Sequence, residues 1–135
     1  MPTRFPRSAA AVVLLAWAAA ALPAQAATPA ELLAGYSAAA GSTPAPARGQ
    51  QLFTTRQGRE WSCSSCHGAV PTQQGTHATT AKPIGAMAPA VNASRFSDAA
   101  KTEKWFRRNC NDVLGRECSA AEKADVLAWL LTLRS

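Results

Sequence analysis

The sequence predicts an all-α fold of four or five helices, and three observations support this. Two capping boxes mark helix starts, one at Thr28-Pro29-Ala30-Glu31 and one at Ser119-Ala120-Ala121-Glu122. Between them, residues 98–109 form an amphipathic segment with an acid at its start and bases at its end, which suits the helix dipole. We find no convincing alternation of apolar and polar residues that would predict a strand.

The first two predicted helices lie on either side of a break. The first helix covers residues 28–40, and the glycine and prolines of residues 41–46 interrupt it. The second helix covers about residues 47–57. Within it, Gly49 and Phe53 are four residues apart and therefore share one face.

The C-terminal half supplies two further helices after a long loop. Residues 62–95 lack periodicity, and a loop of that length is unusual in a compact domain unless it wraps something. The helix over residues 98–109 cannot continue past Gly115. The terminal helix runs from about residue 119 to residue 133. Its predicted buried stripe comprises Val126, Leu127, Leu130 and Leu133, with Trp129 beside it.

The N-terminus has the pattern of an export signal. Two arginines precede an apolar run over residues 9–22, which is short for a membrane span. Ala24-Gln25-Ala26 then supplies small residues at the −3 and −1 positions of a cleavage site. We therefore predict a cleaved signal peptide at residues 1–26 and one periplasmic domain at residues 27–135. An uncleaved membrane anchor is the alternative.

The charge of the predicted mature domain is mildly basic. Removing Arg4 and Arg7 from the 14 basic residues leaves 12, against 8 acidic residues. The domain has no long run of lysine or arginine and no interleaving of basic with aromatic residues, so we expect no nucleic-acid partner. We also expect no membrane span in the mature chain.

One motif carries the chemistry, Cys63-Ser64-Ser65-Cys66-His67. This Cys-x-x-Cys-His spacing is typical of covalent attachment of haem c, because two thiols three residues apart reach the two vinyl groups of one porphyrin. The adjacent His67 is then placed to coordinate the iron through a neutral ring nitrogen. We predict one covalently bound haem c.

Two other sites could use these cysteines. A thioredoxin-like redox pair requires a strand before the motif and a helix after it, whereas here a helix precedes the motif and residues 68–71 interrupt any helix after it. A structural zinc site requires a second ligand pair. Cys110 and Cys118 have seven residues between them, which is wider than the usual spacing.

With a haem motif present, the chain resembles the class I cytochromes c. In that fold an N-terminal helix crosses the C-terminal helix through a glycine and an aromatic residue. Gly49 and Phe53 opposite Trp129 are similar to that pattern. The resemblance implies four to five helices around one covalently bound haem.

The sixth iron ligand decides between an electron carrier and a ligand-binding protein. Met87 lies 20 residues after His67 and would give an ordinary six-coordinate electron shuttle. His77 lies only 10 residues after His67. Both positions are close for a loop that must reach the opposite haem face. A position in the pocket wall is the alternative for Met87, and an exposed position is the alternative for His77.

The chain is similar over nearly all of its predicted mature length to the sphaeroides haem protein family. The similarity rests on long segments of this sequence: Glu31-Leu32-Leu33-Ala34-Gly35-Tyr36, Lys82-Pro83-Ile84, Arg95-Phe96-Ser97-Asp98, residues 103–113, Gly115-Arg116-Glu117-Cys118, and residues 122–130. This resemblance implies a c-type cytochrome whose ferric sixth ligand is an asparagine immediately before the first cysteine of a disulfide. Here these residues are Asn109, Cys110 and Cys118.

The residues around Asn109 are compatible with that role. Asn109 lies four residues after Trp105 and three after Phe106, so it can project from an apolar helix face. A surface asparagine that caps the helix C-terminus is the alternative. Asn111 is close in sequence, but its position does not match that of the ligand.

The function implied by the resemblance is electron transfer together with binding of O2, NO or CO at the ferrous haem after the asparagine is released. An amide oxygen is a hard donor that binds Fe(III) better than Fe(II). The implied redox partners are a dihaem cytochrome c and a membrane cytochrome b. An electron shuttle with Met87 as ligand and a sensor or scavenger are alternatives. Enzymatic turnover of O2 or NO stays open.

Overall fold

A computed structural model describes Met1 and residues 26–134 of the protein. The predicted signal peptide therefore lies outside the described residues, apart from Met1 and Ala26. The described part contains five helices and one antiparallel pair of strands, in the order α1 Pro29–Ala40, α2 Pro46–Thr54, α3 Ser64–His67, β1 Gly75–Thr76, β2 Pro83–Ile84, α4 Ala99–Leu114 and α5 Ala120–Thr132. None of the helices in this part has the length and apolar character needed to cross a membrane.

Both predicted capping boxes are present. The Thr28 hydroxyl accepts from the Glu31 backbone N–H at 3.2 Å, and the Glu31 carboxylate accepts from the Thr28 N–H at 2.8 Å. Ser119 and Glu122 make the same reciprocal pair at the start of α5. These bonds satisfy N–H groups that a helix start leaves without partners, and so they set where α1 and α5 begin.

The predicted crossing of α2 and α5 is confirmed. Gly49 and Phe53 are the buried residues of α2, and a Cβ atom at position 49 would overlap the backbone carbonyl of Asp125. Glycine is therefore required for this close approach. The Phe53 ring lies 5.0 Å from the Trp129 ring. Asp125 is buried and accepts hydrogen bonds from the Arg48 guanidinium and the Ala45 N–H.

The core forms around α5, whose residues 124–130 are all buried. The buried cluster comprises Phe53, Phe96, Val126, Leu127, Trp129 and Leu130. Helix α1 packs on it through Leu32, Leu33 and Tyr36. Leu133, a member of the predicted buried stripe, is partly exposed beyond the end of α5.

Helix α4 is longer than predicted, so Asn109 lies within the helix and not at its end. The Asp98 carboxylate caps its start by accepting from the Lys101 N–H at 2.8 Å. The helix ends at Leu114, and Gly115 adopts the left-handed conformation there with φ +73°. The C-terminal cap is thus Gly115, so the alternative that Asn109 caps the helix on the surface is wrong.

Two other predictions need correction. Helix α2 ends at Thr54 rather than near residue 57, because Thr55 adopts an extended conformation, as β-branched residues favour. The expectation of no strand is also wrong, because Gly75–Thr76 pairs with Pro83–Ile84. A strand of two residues is too short to show an alternating pattern.

Candidate haem site

A single helical turn, α3, carries the Cys-x-x-Cys-His motif. The Cys63 carbonyl accepts from the backbone N–H groups of Cys66 at 3.3 Å and His67 at 3.1 Å. The buried Ser62 supports the turn, because its N–H donates to Ser65 Oγ at 3.0 Å. Local hydrogen bonds therefore bring two thiols and an imidazole together.

The two thiols of the motif fit covalent attachment better than redox exchange. Cys63 and Cys66 are partly buried and form no disulfide. Burial raises the pKa of the Cys63 thiol to about 11, whereas reactive dithiol motifs contain a thiol whose pKa is lowered. The thioredoxin-like alternative is therefore not supported.

The imidazole of His67 is partly buried, 6.1 Å from the Phe53 ring. Burial, and then the positive charge of Arg95, lower the pKa of His67 to about 4, so the ring is neutral at pH 7. A neutral imidazole is the form that coordinates iron. Neither ring nitrogen has a hydrogen-bond partner within residues 26–134, which leaves one available for a metal. The donor set of two thiols and one neutral imidazole fits haem c.

Arg95 is a residue of this site that the sequence analysis did not single out. Its Nε donates to the Ala86 carbonyl at 2.9 Å and its Nη2 donates to the Gly85 carbonyl at 2.5 Å. Burial lowers the pKa of Arg95, and among the described residues no carboxylate pairs with it. A charged group inside an otherwise apolar and small-residue segment was the available signal.

Met87 lies in the loop after β2, and its backbone is bonded to the segment that follows the attachment motif. The backbone N–H groups of Met87 and Ala88 both donate to the Pro71 carbonyl, at 3.0 and 3.1 Å. Pro71 is fully buried and lies four residues after His67. The Met87 side chain packs against the core cluster. These contacts resemble those of a residue in the pocket wall.

His77 lies beside the attachment motif. Strand β1 approaches α3 so closely that a Cβ atom at Gly75 would overlap the Cys66 carbonyl, and the Ala78 N–H lies 3.3 Å from Cys66 Sγ. The His77 Nδ1 accepts from the Thr79 and Thr80 N–H groups, each at 3.3 Å. The Nδ1 atom of His77 is thus occupied by hydrogen bonds from its own turn.

Asn109 and Asn111 on α4 have different surroundings. Asn111 is exposed, and its Nδ2 donates to the Arg107 carbonyl at 2.8 Å within the same helix. Asn109 is partly buried, and its amide has no hydrogen-bond partner in the part of the chain that the structure describes. It shares a helix face with the buried Thr102 and the partly buried Phe106. The inner face of α4 therefore presents the free amide of Asn109.

The disulfide implied by the family resemblance is present. Cys110 and Cys118 are bonded, with their Cα atoms 5.5 Å apart. Cys110 is buried in the last turns of α4, and Cys118 precedes α5. Because these cysteines are bonded to each other, they cannot supply the second ligand pair of a zinc site.

Comparisons with known proteins identify a family and two relatives of this chain. A family model described as "Domain of unknown function (DUF1924)" matches residues 39–130. Cytochrome c-type protein SHP of Cereibacter sphaeroides is 49% identical over 107 residues, which cover 76% of this chain and 82% of that protein. Cytochrome c'' of Methylophilus methylotrophus is 46% identical over 80 residues, covering 59% of this chain and 56% of that protein.

Solved structures show the same fold. Oxidised SHP, described as an oxygen-binding cytochrome c, superposes with a TM-score of 0.74 at 46% identity, covering 78% of this chain and 97% of that one. Oxidised cytochrome c'' of Methylophilus methylotrophus gives a TM-score of 0.71 at 36% identity, covering 79% and 95%. The predicted all-α, class I cytochrome c-like fold and the haem c cofactor are thereby confirmed. The chain belongs to the DUF1924 family and to the sphaeroides haem protein family of c-type cytochromes.

Proposed function

We propose that this chain is a mono-haem c-type cytochrome that transfers electrons and binds O2, NO or CO after an asparagine ligand is released. Cys63 and Cys66 hold the haem through thioethers, and His67 is the proximal iron ligand. The haem supplies a ferrous iron that can bind a diatomic ligand when its sixth position is open. Arg95, a cation without a carboxylate partner among the described residues, would be available to pair with a haem propionate.

The observation that carries the proposal is the free amide of Asn109. Buried polar groups normally find a hydrogen-bond partner, and every fully buried side-chain nitrogen and oxygen among the described residues has one. The partly buried Asn109 amide has none among the described residues, while the neighbouring Asn111 is bonded to Arg107. The same helix turn is fixed by the disulfide at Cys110. A weak neutral ligand benefits from such fixation, because little of its binding energy is lost in ordering it.

The chemistry of an amide oxygen gives the ligand its redox dependence. It is a hard donor, which favours the ferric over the ferrous iron. Reduction of a bound haem would therefore weaken the bond from Asn109 and leave the sixth position open. Two relatives support the proposal that the sixth ligand is released. SHP is described as oxygen-binding, and the solution structure of cytochrome c'' is described in terms of haem-ligand detachment.

The location and partners form part of the same proposal. Residues 1–26 act as a cleaved signal peptide, and residues 27–135 form the domain in the periplasm, where haem c is attached. A dihaem cytochrome c and a membrane cytochrome b are the proposed redox partners. The sequence pattern of the N-terminus and the family membership support these statements.

Absorption spectra of the purified holoprotein test the proposal. We expect the reduced protein to bind CO rapidly and completely, with a shift of the Soret band, because Asn109 no longer occupies the sixth position. Oxidised, reduced and CO-bound spectra at one protein concentration are sufficient. A ferric spectrum with the sulfur–iron charge-transfer band, unchanged by CO after reduction, would contradict the proposal and support Met87 as ligand.

Replacing Met87 with leucine separates the two candidate ligands. Because the Met87 backbone is bonded to Pro71 and its side chain packs in the core, we expect Met87→Leu to leave the ferric spectrum unchanged. The volume is nearly conserved, so stability should fall by less than about 1.5 kcal/mol. Loss of the native ferric spectrum, measured at the same pH, would assign the sixth ligand to Met87.

A further inference from the structure

A three-helix cluster holds α4 at Glu103, six residues before Asn109. The hydroxyl of Tyr36 on α1 donates to Glu103 Oε1 at 2.6 Å. The ammonium of Lys123 on α5 donates to Glu103 Oε2 at 2.7 Å. Both carboxylate oxygens of Glu103 are thus bonded to groups on other helices, and we refer to Tyr36, Glu103 and Lys123 as the Glu103 anchor.

The anchor is packed against aromatic rings. The Lys123 Nζ lies 5.6 Å from the centre of the Tyr36 ring and 5.9 Å from that of the Phe106 ring. The Tyr36 and Phe106 rings meet edge to face at 5.8 Å. The Lys123 side chain is only 15% exposed. The Glu103 side chain is 41% exposed, so the bond between Lys123 and Glu103 is partly shielded from water and stronger than one between two fully exposed groups.

Burial and hydrogen bonding determine the charge states within the anchor. Burial raises the pKa of Tyr36, and its hydrogen bond to Glu103 adds to the rise. Hydrogen bonds from Lys123 and Tyr36 outweigh desolvation and lower the pKa of Glu103. At neutral pH the Tyr36 phenol is therefore protonated and the Glu103 carboxylate is ionised, which is the state in which Glu103 accepts both bonds.

Asn109 lies between two fixed points of α4. Glu103 is six residues before it, about 9 Å along the helix axis. Cys110, the next residue, is fixed by the disulfide. Phe106 lies between the two points and contacts Tyr36. A helix held at two points keeps its orientation, whereas a helix held at one point can tilt about it.

We propose that the Glu103 anchor positions Asn109 for iron binding, by fixing the orientation of α4 between Glu103 and the disulfide. This inference rests on the proposed function of Asn109. Without the bonds to Glu103, apolar contacts of Phe106 are left to hold this part of α4, so the helix can tilt about Cys110 and Asn109 binds the ferric iron more weakly. Tyr36, Glu103 and Lys123 are positioning residues, since they act through the helix.

Azide binding to the ferric holoprotein measures this effect, because azide competes with Asn109 for the sixth position. We expect Glu103→Ala to lower the apparent azide Kd roughly fivefold, a size typical of coupling between sites. Tyr36→Phe removes one hydrogen bond and keeps the ring, so it should lower the Kd in the same direction by a smaller factor. Spectral titration at constant pH and ionic strength gives both values.

Three controls separate positioning from a general loosening of the fold. In an Asn109→Ala background, Glu103→Ala should leave the azide Kd unchanged, since the ligand through which it acts is gone. CO affinity of the ferrous form should be unchanged in every variant, because Asn109 has already been released. Arg48→Met removes the ion pair to Asp125 at the α2–α5 crossing and should lower stability without changing the azide Kd.

Each remaining outcome contradicts one of the two proposals. If Asn109→Ala lowers the azide Kd but Glu103→Ala and Tyr36→Phe do not, the anchor has no positioning role and the ligand assignment stands. If Asn109→Ala itself has no effect, the ligand assignment fails and the inference fails with it. An equal effect of Glu103→Ala in both backgrounds, or of Arg48→Met, indicates non-specific loosening and overturns the inference.

Discussion

Asn109→Ala is expected to leave haem attachment intact while converting the ferric iron to a five-coordinate or water-bound state. The proposed attachment residues, Cys63 and Cys66, belong to the turn at α3, whereas Asn109 lies on α4. If Asn109 occupies the ferric sixth position for about nine-tenths of the time, its removal raises the affinity for azide about tenfold. Absorption and electron paramagnetic resonance spectra of the ferric protein show the change in spin and coordination state.

Asn111→Ala provides the matched control for this prediction. The two asparagines lie on the same helix, but the Asn111 amide is exposed and bonded to the Arg107 carbonyl. Removing it should change stability by a few tenths of a kcal/mol and leave the ferric spectrum unaltered. An unchanged ferric spectrum for Asn109→Ala, or equal changes in both variants, would remove Asn109 from the iron site.

The helix starts and the main helix crossing were predictable because their causes are local or compositional. A capping box forms within four residues, so Thr28 with Glu31 and Ser119 with Glu122 could be identified directly. The α2–α5 contact uses a glycine, where the two backbones approach, and an aromatic residue on the same face of α2. Gly49 and Phe53 provide that pattern at a spacing of one helical turn.

The surroundings of Asn109 could not be derived from local patterns. Its neighbours favour both an inner ligand and a surface cap, and only the continuation of α4 to Gly115 excludes the cap. The Glu103 anchor joins residues that are 67 and 20 positions apart in the chain. No short-range periodicity records such a contact. The position of Arg95 against the Gly85 and Ala86 carbonyls likewise depends on how the loop folds back.

Removing the disulfide is expected to affect stability and ligand binding together. In the double variant Cys110→Ala, Cys118→Ala, the unfolded chain regains the freedom of the loop closed by this bond, whose ends are 8 residues apart. The chain-entropy model gives a loss of about 2.5 kcal/mol in the free energy of unfolding. Urea denaturation of the ferric holoprotein measures it. The hydrogen bonds of Glu103 to Tyr36 and Lys123 remain in this variant, so α4 should still form.

The effect on the iron should exceed that of removing the anchor, because the disulfide adjoins Asn109 whereas Glu103 is six residues away. We therefore expect the azide Kd of the cysteine double variant to fall further than that of Glu103→Ala. The effects of the cysteine double variant and of Glu103→Ala on the azide Kd should be non-additive. Each variant alone leaves α4 held at one of the two points, whereas the combined variant leaves it held at neither the disulfide nor Glu103. A stability loss of the expected size with an unchanged azide Kd would show that the disulfide constrains only the unfolded chain and does not position Asn109.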